Sequence, residues 1–295
     1  MYTLLNFSAY AFIIGIATRV SYWTDNIVVG MVLGPVAVAF YAVGGTISEY
    51  LRNGMVSVTG VLTPMASQMD ALDRKHSLRR LHATGSKIAL SLSLAGIVPL
   101  VLLGKPFLLL WMGPTYAAQS TPILILTCIG IAFYAVASVC WPVLYALAQH
   151  RVGAWLFISE AIVNLVLSLF LVRLWGAMGV ACGTLIPAFF VELIILPMYT
   201  CHQLTVSYFR FYQSSVFRPV IVAVPFAAWC WLCLARGYVS NWPKLAVVVL
   251  LGLIIYFWLV WTAGFMKDER HLMKRILSGF LKFPARPKLA VPSAQ

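Results

Sequence analysis

Apolar runs of roughly 20 residues recur from one end of this chain to the other, and few architectures accept such runs. Eight can be delimited, at about 4–20, 36–66, 88–103, 122–148, 154–174, 178–199, 216–234 and 245–265. Each is continuous rather than alternating over ten residues, which excludes a membrane β-barrel. Composition agrees: 62% of residues are hydrophobic and 10% charged, against about 25% charged in soluble domains. The mean hydropathy is +0.91. The expected fold class is all-α, a polytopic transmembrane helical bundle of about eight spans. Two runs are longer than a bilayer needs, so they tilt or project into water.

The net charge of +13 suggests nucleic acid until its distribution is read. Arg74, Lys75, Arg79, Arg80, Lys87, Arg151, Arg210, Arg218 and the seven cations from Lys267 to Lys288 fall in alternate loops. The opposite loops hold only Lys105, Arg173, Arg236 and Lys244. By the positive-inside rule both termini face the cytosol. The basic excess is then a topology signal, with anionic membrane lipids as its partner and no nucleic acid. The first span lacks a basic n-region and a cleavage site, so no signal peptide is expected. No P-loop, HExxH or dinucleotide fingerprint occurs, and no cofactor or metal is expected. Cys230 and Cys233 have redox spacing, but they lie inside a span without a nearby His pair, as buried inert thiols do.

Most of the polar chemistry is concentrated between Arg19 and Gln68. Arg19 and Asp25 close the first apolar segment, and Glu49, Arg52 and Asn53 interrupt a long helix expected from Pro35 to Ser67. A charge at bilayer depth costs about 2.5–3.5 kcal/mol, so such residues face a bundle interior or a watery cavity. With 3.6 residues per turn, Gly45, Glu49, Arg52, Asn53, Gly60 and Thr63 share one face. Glu49 and Arg52 are placed to pair along it. Glu160, Asn164 and Ser168 form a second polar stripe, and Thr184, Ala188 and Glu192 a third. Asn164 and Ser168 read as interhelical hydrogen-bonding groups. Glu160 and Glu192 read as facing a cavity or held protonated.

The same stretch carries a resemblance. Asp25–Asn26–Ile27–Val28–Val29–Gly30, Leu33–Gly34–Pro35–Val36–Ala37, Tyr41 and Leu62–Thr63–Pro64 resemble the seventh and eighth helices of oligosaccharide flippases. These are the O-antigen and polysaccharide exporters of the superfamily that also holds multidrug exporters. Ala39–Phe40 stands where that family commonly has a glycine before the tyrosine. Tyr145–Ala146–Leu147–Ala148–Gln149–His150 and Trp175–Gly176–Ala177–Met178–Gly179–Val180–Ala181 resemble later helix ends. The likeness implies a six-helix lobe over 1–202, matching the second half of a two-lobed flippase. Two additional spans over 203–266 and a basic tail over 267–295 follow. The tail pairs an apolar face (Leu272, Ile276, Phe280) with Lys274, Arg275 and Lys282, as interfacial helices do.

The resemblance implies a transporter, not an enzyme, in the cytoplasmic (inner) membrane. Its cargo would be a lipid-linked oligosaccharide, a polyprenyl-diphosphate glycan used for surface polysaccharide. Arg19, Arg52 and Asn53 would bind substrate, since guanidinium offers a permanent, forked charge to a diphosphate. Asp25, Glu49, Glu160 and Glu192 would pair with those cations or carry coupling ions. A second lobe, from another copy or a separate chain, would complete the cavity, or the reading frame is truncated. Rival readings are a cation-coupled drug exporter, which the excess of acids suits, a membrane glycan polymerase or ligase, and a non-transporting scaffold.

Overall fold

The computed structural model describes residues 24–265, so Arg19, the predicted span 4–20 and the tail 267–295 lie outside the described residues. Within them the chain is a series of helices. In order they are α1 (Thr24–Leu33), α2 (Pro35–Gly60), α3 (Leu62–Ala71), α4 (Lys75–Met112), α5 (Pro114–Ala137) and α6 (Cys140–Ala146). There follow α7 (His150–Trp175), α8 (Ala177–Ala188), α9 (Leu196–Gln203), α10 (Tyr208–Tyr212), α11 (Arg218–Ala235) and α12 (Trp242–Leu259). Three π-helical stretches are interposed: Phe189–Ile195, Gln213–Phe217 and Val260–Gly264. No strand occurs among the described residues.

Six helices among these residues are long and apolar enough to cross a membrane. They match the predicted spans from 88–103 onward. The predicted span 36–66 is helical but is not one of the six, because the polar face of α2 lowers its hydropathy. Nor is it one helix as expected: α2 stops at Gly60 and α3 starts at Leu62. Pro64 has no N–H for the carbonyl of Gly60, four residues back, and its ring crowds that oxygen. The same offset divides α5 from α6, where Pro142 leaves the carbonyl of Ser138 without its helical donor.

The turns between helices obey a simple division. At one end of the bundle the reversals fall at Gly34, Gly113, Gly176 and Gly237, all with positive φ. At the other they fall at Asp73, Ala148 and Thr205, which are the non-glycine residues with positive φ among those described. Gly34 and Gly113 each precede a proline that opens the next helix, with φ/ψ of 86°/173° and 88°/−179°. That region is open only to glycine. Asp73, Ala148 and Thr205 instead occupy the left-handed position of helix-ending motifs. The next residue's N–H returns to the carbonyl five residues back: Arg74 to Met69 at 2.8 Å, Gln149 to Leu144 at 2.8 Å and Val206 to Cys201 at 2.9 Å.

Small residues set the helix spacing. A Cβ on Gly44 would lie 2.9 Å from the Ser120 carbonyl oxygen, so α2 and α5 touch almost backbone to backbone. On α8 a Cβ at Gly179 would lie 2.1 Å from the Leu171 carbonyl oxygen, and one at Gly183 would lie 2.7 Å from the Ser168 nitrogen of α7. Without a solvent-driven hydrophobic force between helices in lipid, such close approach is what joins them. The α11–α12 hairpin docks elsewhere, on α4. Tyr256 is fully buried there, stacked on Phe226 at 5.3 Å between centroids, and its hydroxyl donates to the Ser91 carbonyl at 2.8 Å.

Candidate functional site

Helices α1, α2, α5, α7 and α8 leave an open cleft between them. Asp25 and Asn26 of α1 line it, as do Tyr41, Gly45, Thr46, Ser48, Glu49 and Arg52 of α2. From α5 come Thr127 and Tyr134, from α7 Phe157, Glu160 and Asn164, and from α8 and the π-helix after it Thr184, Ala188 and Glu192. Three polar stripes that lie far apart in sequence therefore meet around one space. They meet because each is flanked by apolar surface that faces lipid or neighbouring helices, leaving the polar faces to turn inward.

Of the seven residues singled out from the sequence, Asp25, Glu49, Arg52, Glu160 and Glu192 line the cleft. Asn53 does not. It lies about 100° around the helix from Arg52, its side chain is exposed, and its carbonyl accepts from Ser57 Oγ at 2.9 Å. Gly60 and Thr63, placed on the same face from the sequence, also stand off the cleft wall, being beyond its end or past the break at Val61. Arg19 lies outside the described residues. Ser168 is buried against α8 rather than in the cleft: its hydroxyl donates to Asn164 Oδ1 at 2.9 Å and also lies 3.4 Å from the Val180 carbonyl.

Asp25 is the most tightly held of the acids. It is 8% exposed, and its Oδ2 accepts from Tyr41 Oη at 3.1 Å and from Thr184 Oγ1 at 2.8 Å. Thr184 Oγ1 also lies 3.3 Å from Asn164 Oδ1, so α1, α2, α7 and α8 meet in one hydrogen-bonded knot. Among the described residues Asp25 Oδ1 and Asn26 Oδ1 are buried without a partner. A buried carboxylate with one oxygen engaged and the other open is a charge that a proton or cation can satisfy.

Arg52 is held differently. Its guanidinium reaches across from α2 to α5 and lies over the Tyr134 ring, 4.6 Å from the centroid. The contact is between helices, where the sequence spacing had suggested a pair with Glu49 on the same helix. The ring face attracts the cation. Glu160 and Glu192 line the same cleft. Glu192 sits in the π-helical stretch Phe189–Ile195, between Pro187 and Pro197. Such widened turns are frequent at functional sites because they redirect a side chain.

Tyr134 and Thr127 carried no signal in the sequence. Ser48 Oγ and Thr127 Oγ1 lie 2.6 Å apart across α2 and α5, yet both read as ordinary span residues. Thr184 and Asn164 stood in polar stripes with Glu192 and Glu160, although Asn164 had read as an interhelical hydrogen-bonding group. Among the described residues no group of three or more His, Cys, Asp or Glu side chains is arranged to hold a metal ion.

A lipid-spanning helical bundle that encloses charged groups around an open space is the architecture of membrane transporters, whose sites lie in such cavities. The family model "Lipid II flippase MurJ" matches residues 26–255, and the chain belongs to that family. The fold is similar to the solved structure "Lipid II flippase MurJ, inward closed conformation", with a TM-score of 0.63 and 14% sequence identity. That likeness covers 90% of this chain and 53% of the other, so the chain spans about half the length of the structure it resembles. A comparison with curated proteins gave no match. The family lies among the lipid-linked flippases to which the sequence resemblance pointed. Its members are transporters rather than enzymes.

Proposed function

We propose that this chain forms the cavity-bearing lobe of a flippase for a lipid-linked precursor anchored on a polyprenyl diphosphate. The observation that supports this reading best is the presentation of Arg52. Its guanidinium lies over Tyr134 inside a cleft, and its planar fork matches the geometry of a diphosphate. Lipid II, the cargo in the family's name, is the first candidate. The lipid-linked oligosaccharide of a surface polysaccharide, to which the sequence resemblance pointed, is the second. Asp25, Glu49, Glu160 and Glu192 balance Arg52 or carry a coupling cation, Asp25 being the best placed. Opposite this lobe a second one completes the cavity, and rocking of the two alternates its access.

The charge distribution supports an orientation in the cytoplasmic membrane. The turns at Asp73, Ala148 and Thr205 lie beside the Lys- and Arg-rich segments, and we place them in the cytosol, with Gly34, Gly113, Gly176 and Gly237 outside.

Depleting the protein in cells and assaying the leaflet in which each precursor accumulates tests the function. The cargo should collect on the cytosolic leaflet, recover with the wild-type gene, and stay there with Arg52→Ala at equal protein abundance. Recovery of both precursors with Arg52→Ala would remove Arg52 from the substrate site. Unchanged distribution of both on depletion would overturn the flippase reading. The excess of acids favours a second reading, a cation-coupled exporter of cationic compounds, which predicts drug sensitivity in depleted cells with both precursors correctly distributed.

A further inference from the structure

A second space lies between α11 and α12 at the end of the bundle where the chain turns at Gly237. It is walled by Trp229, Leu232, Cys233, Val247, Val248 and Leu251, with Tyr238 and Pro243 at its end. None of these residues lines the cleft, and α4, on which α11 and α12 dock, contributes nothing to the cleft wall either. The slot is built rather than incidental. Trp229 is fixed by its indole N–H, which donates to the Val248 carbonyl at 3.0 Å, and Cys233 and Val248 are buried beneath it.

Two cations stand at this apolar slot. Arg236 follows the last residue of α11, and Lys244 lies in the first turn of α12 with its Nζ 3.2 Å from Ser240 Oγ. They are two of the four Lys and Arg residues that the sequence places in loops on this side. From Arg74 to Ser159 and from Leu193 to Lys267 the sequence has no Asp or Glu, so α4, α11 and α12 have no carboxylate to offer them. The N-terminus of α12 adds the positive end of a helix dipole. Tyr238 and Trp242 mark the level of the headgroups, where aromatic rings concentrate. Trp242 packs edge-on against Phe107 of α4 at 5.7 Å.

We propose that this slot binds one anionic phospholipid, its phosphate between Arg236 and Lys244 and an acyl chain along Trp229, Val247 and Leu251. An apolar trough opening on paired cations matches the two halves of such a lipid, and a zwitterionic lipid would leave the local positive charge less well compensated.

Native mass spectrometry of the full chain, with phosphatidylglycerol or phosphatidylcholine titrated into the detergent, tests this. One phosphatidylglycerol should be retained at concentrations where phosphatidylcholine is not. Arg236→Gln with Lys244→Gln should weaken that retention by roughly tenfold. Val247→Trp, which fills the slot but keeps both cations, should also lower it, and Arg173→Gln at the end of α7 should not. Equal retention of the two lipids, or retention that survives the double substitution, would show ordinary lipid solvation and overturn the proposal. So would loss with Arg173→Gln. Displacement of phosphatidylglycerol by a polyprenyl diphosphate at lower concentration would assign the slot to the transported lipid instead.

Discussion

Thr184 on α8 donates a 2.8 Å hydrogen bond to the carboxylate of Asp25 on α1, 159 residues away in the chain. Tyr41 of α2 donates to the same oxygen and Asn164 of α7 approaches Thr184, so four helices are tied at one carboxylate. Thr184→Val keeps the shape but removes the donor. It should lower stability by about 1.5–3 kcal/mol, the usual contribution of a hydrogen bond to a charged group. Thr184→Ser should retain most of it. Thermal unfolding of the purified protein in detergent measures both, and a Thr184→Val variant as stable as the wild type would mean the bond contributes nothing.

Arg52 and Tyr134 separate two roles that a simple loss of activity would confuse. Tyr134→Phe keeps the ring under the guanidinium and should transport normally. Tyr134→Leu removes an attraction of about 0.5–2 kcal/mol and should weaken cargo binding without lowering protein abundance. Arg52→Lys should be partly active, because the ammonium keeps the charge but loses the planar fork. If Arg52 serves only to neutralise acids, the double variant Arg52→Ala with Glu49→Ala should restore both abundance and transport. If it grips an anionic headgroup, that variant should accumulate yet fail to transport. The precursor-leaflet assay decides between them.

Ala148 adopts a left-handed backbone, with φ of 55°, at the turn after α6. An L-residue there is strained by roughly 1–2 kcal/mol, and glycine is not. Ala148→Gly should therefore raise the unfolding midpoint, while Gly176→Ala at the opposite end, where φ is 59° and ψ −141°, should lower it. Equal midpoints in a thermal-shift assay would contradict the strain argument.

The topology proposed from charge has its own check. A cysteine placed at residue 76, beside the Asp73 turn, should react with a membrane-impermeant maleimide only after the cytosolic side is opened. One placed at 240, beside Gly237, should react in intact cells. Labelling of residue 76 from outside would invert the assignment of every turn.

Helical, membrane-spanning character followed from sequence because it depends on composition over windows of about 20 residues, which lipid reads without regard to neighbours. The inward direction of Asp25, Glu49, Arg52, Glu160 and Glu192 was legible for the same reason, since hydrocarbon tolerates such groups on no other face. Asn53 misled because its side chain lies one helical step from Arg52, and sequence spacing does not say where a cavity wall ends. The π-helical turn that carries Glu192 was likewise not read from the spacing. Tyr134, Thr127 and the slot beside Trp229 could come only from the tertiary structure. A tyrosine or threonine is cheap at almost any point of a span, so its presence marks nothing until a helix brings a cation or a hydroxyl against it. The pairing of α11 with α12 turned on close packing, where Gly252 leaves room for the Phe226 ring. Packing of that kind is a property of paired surfaces, which no single stretch of sequence contains.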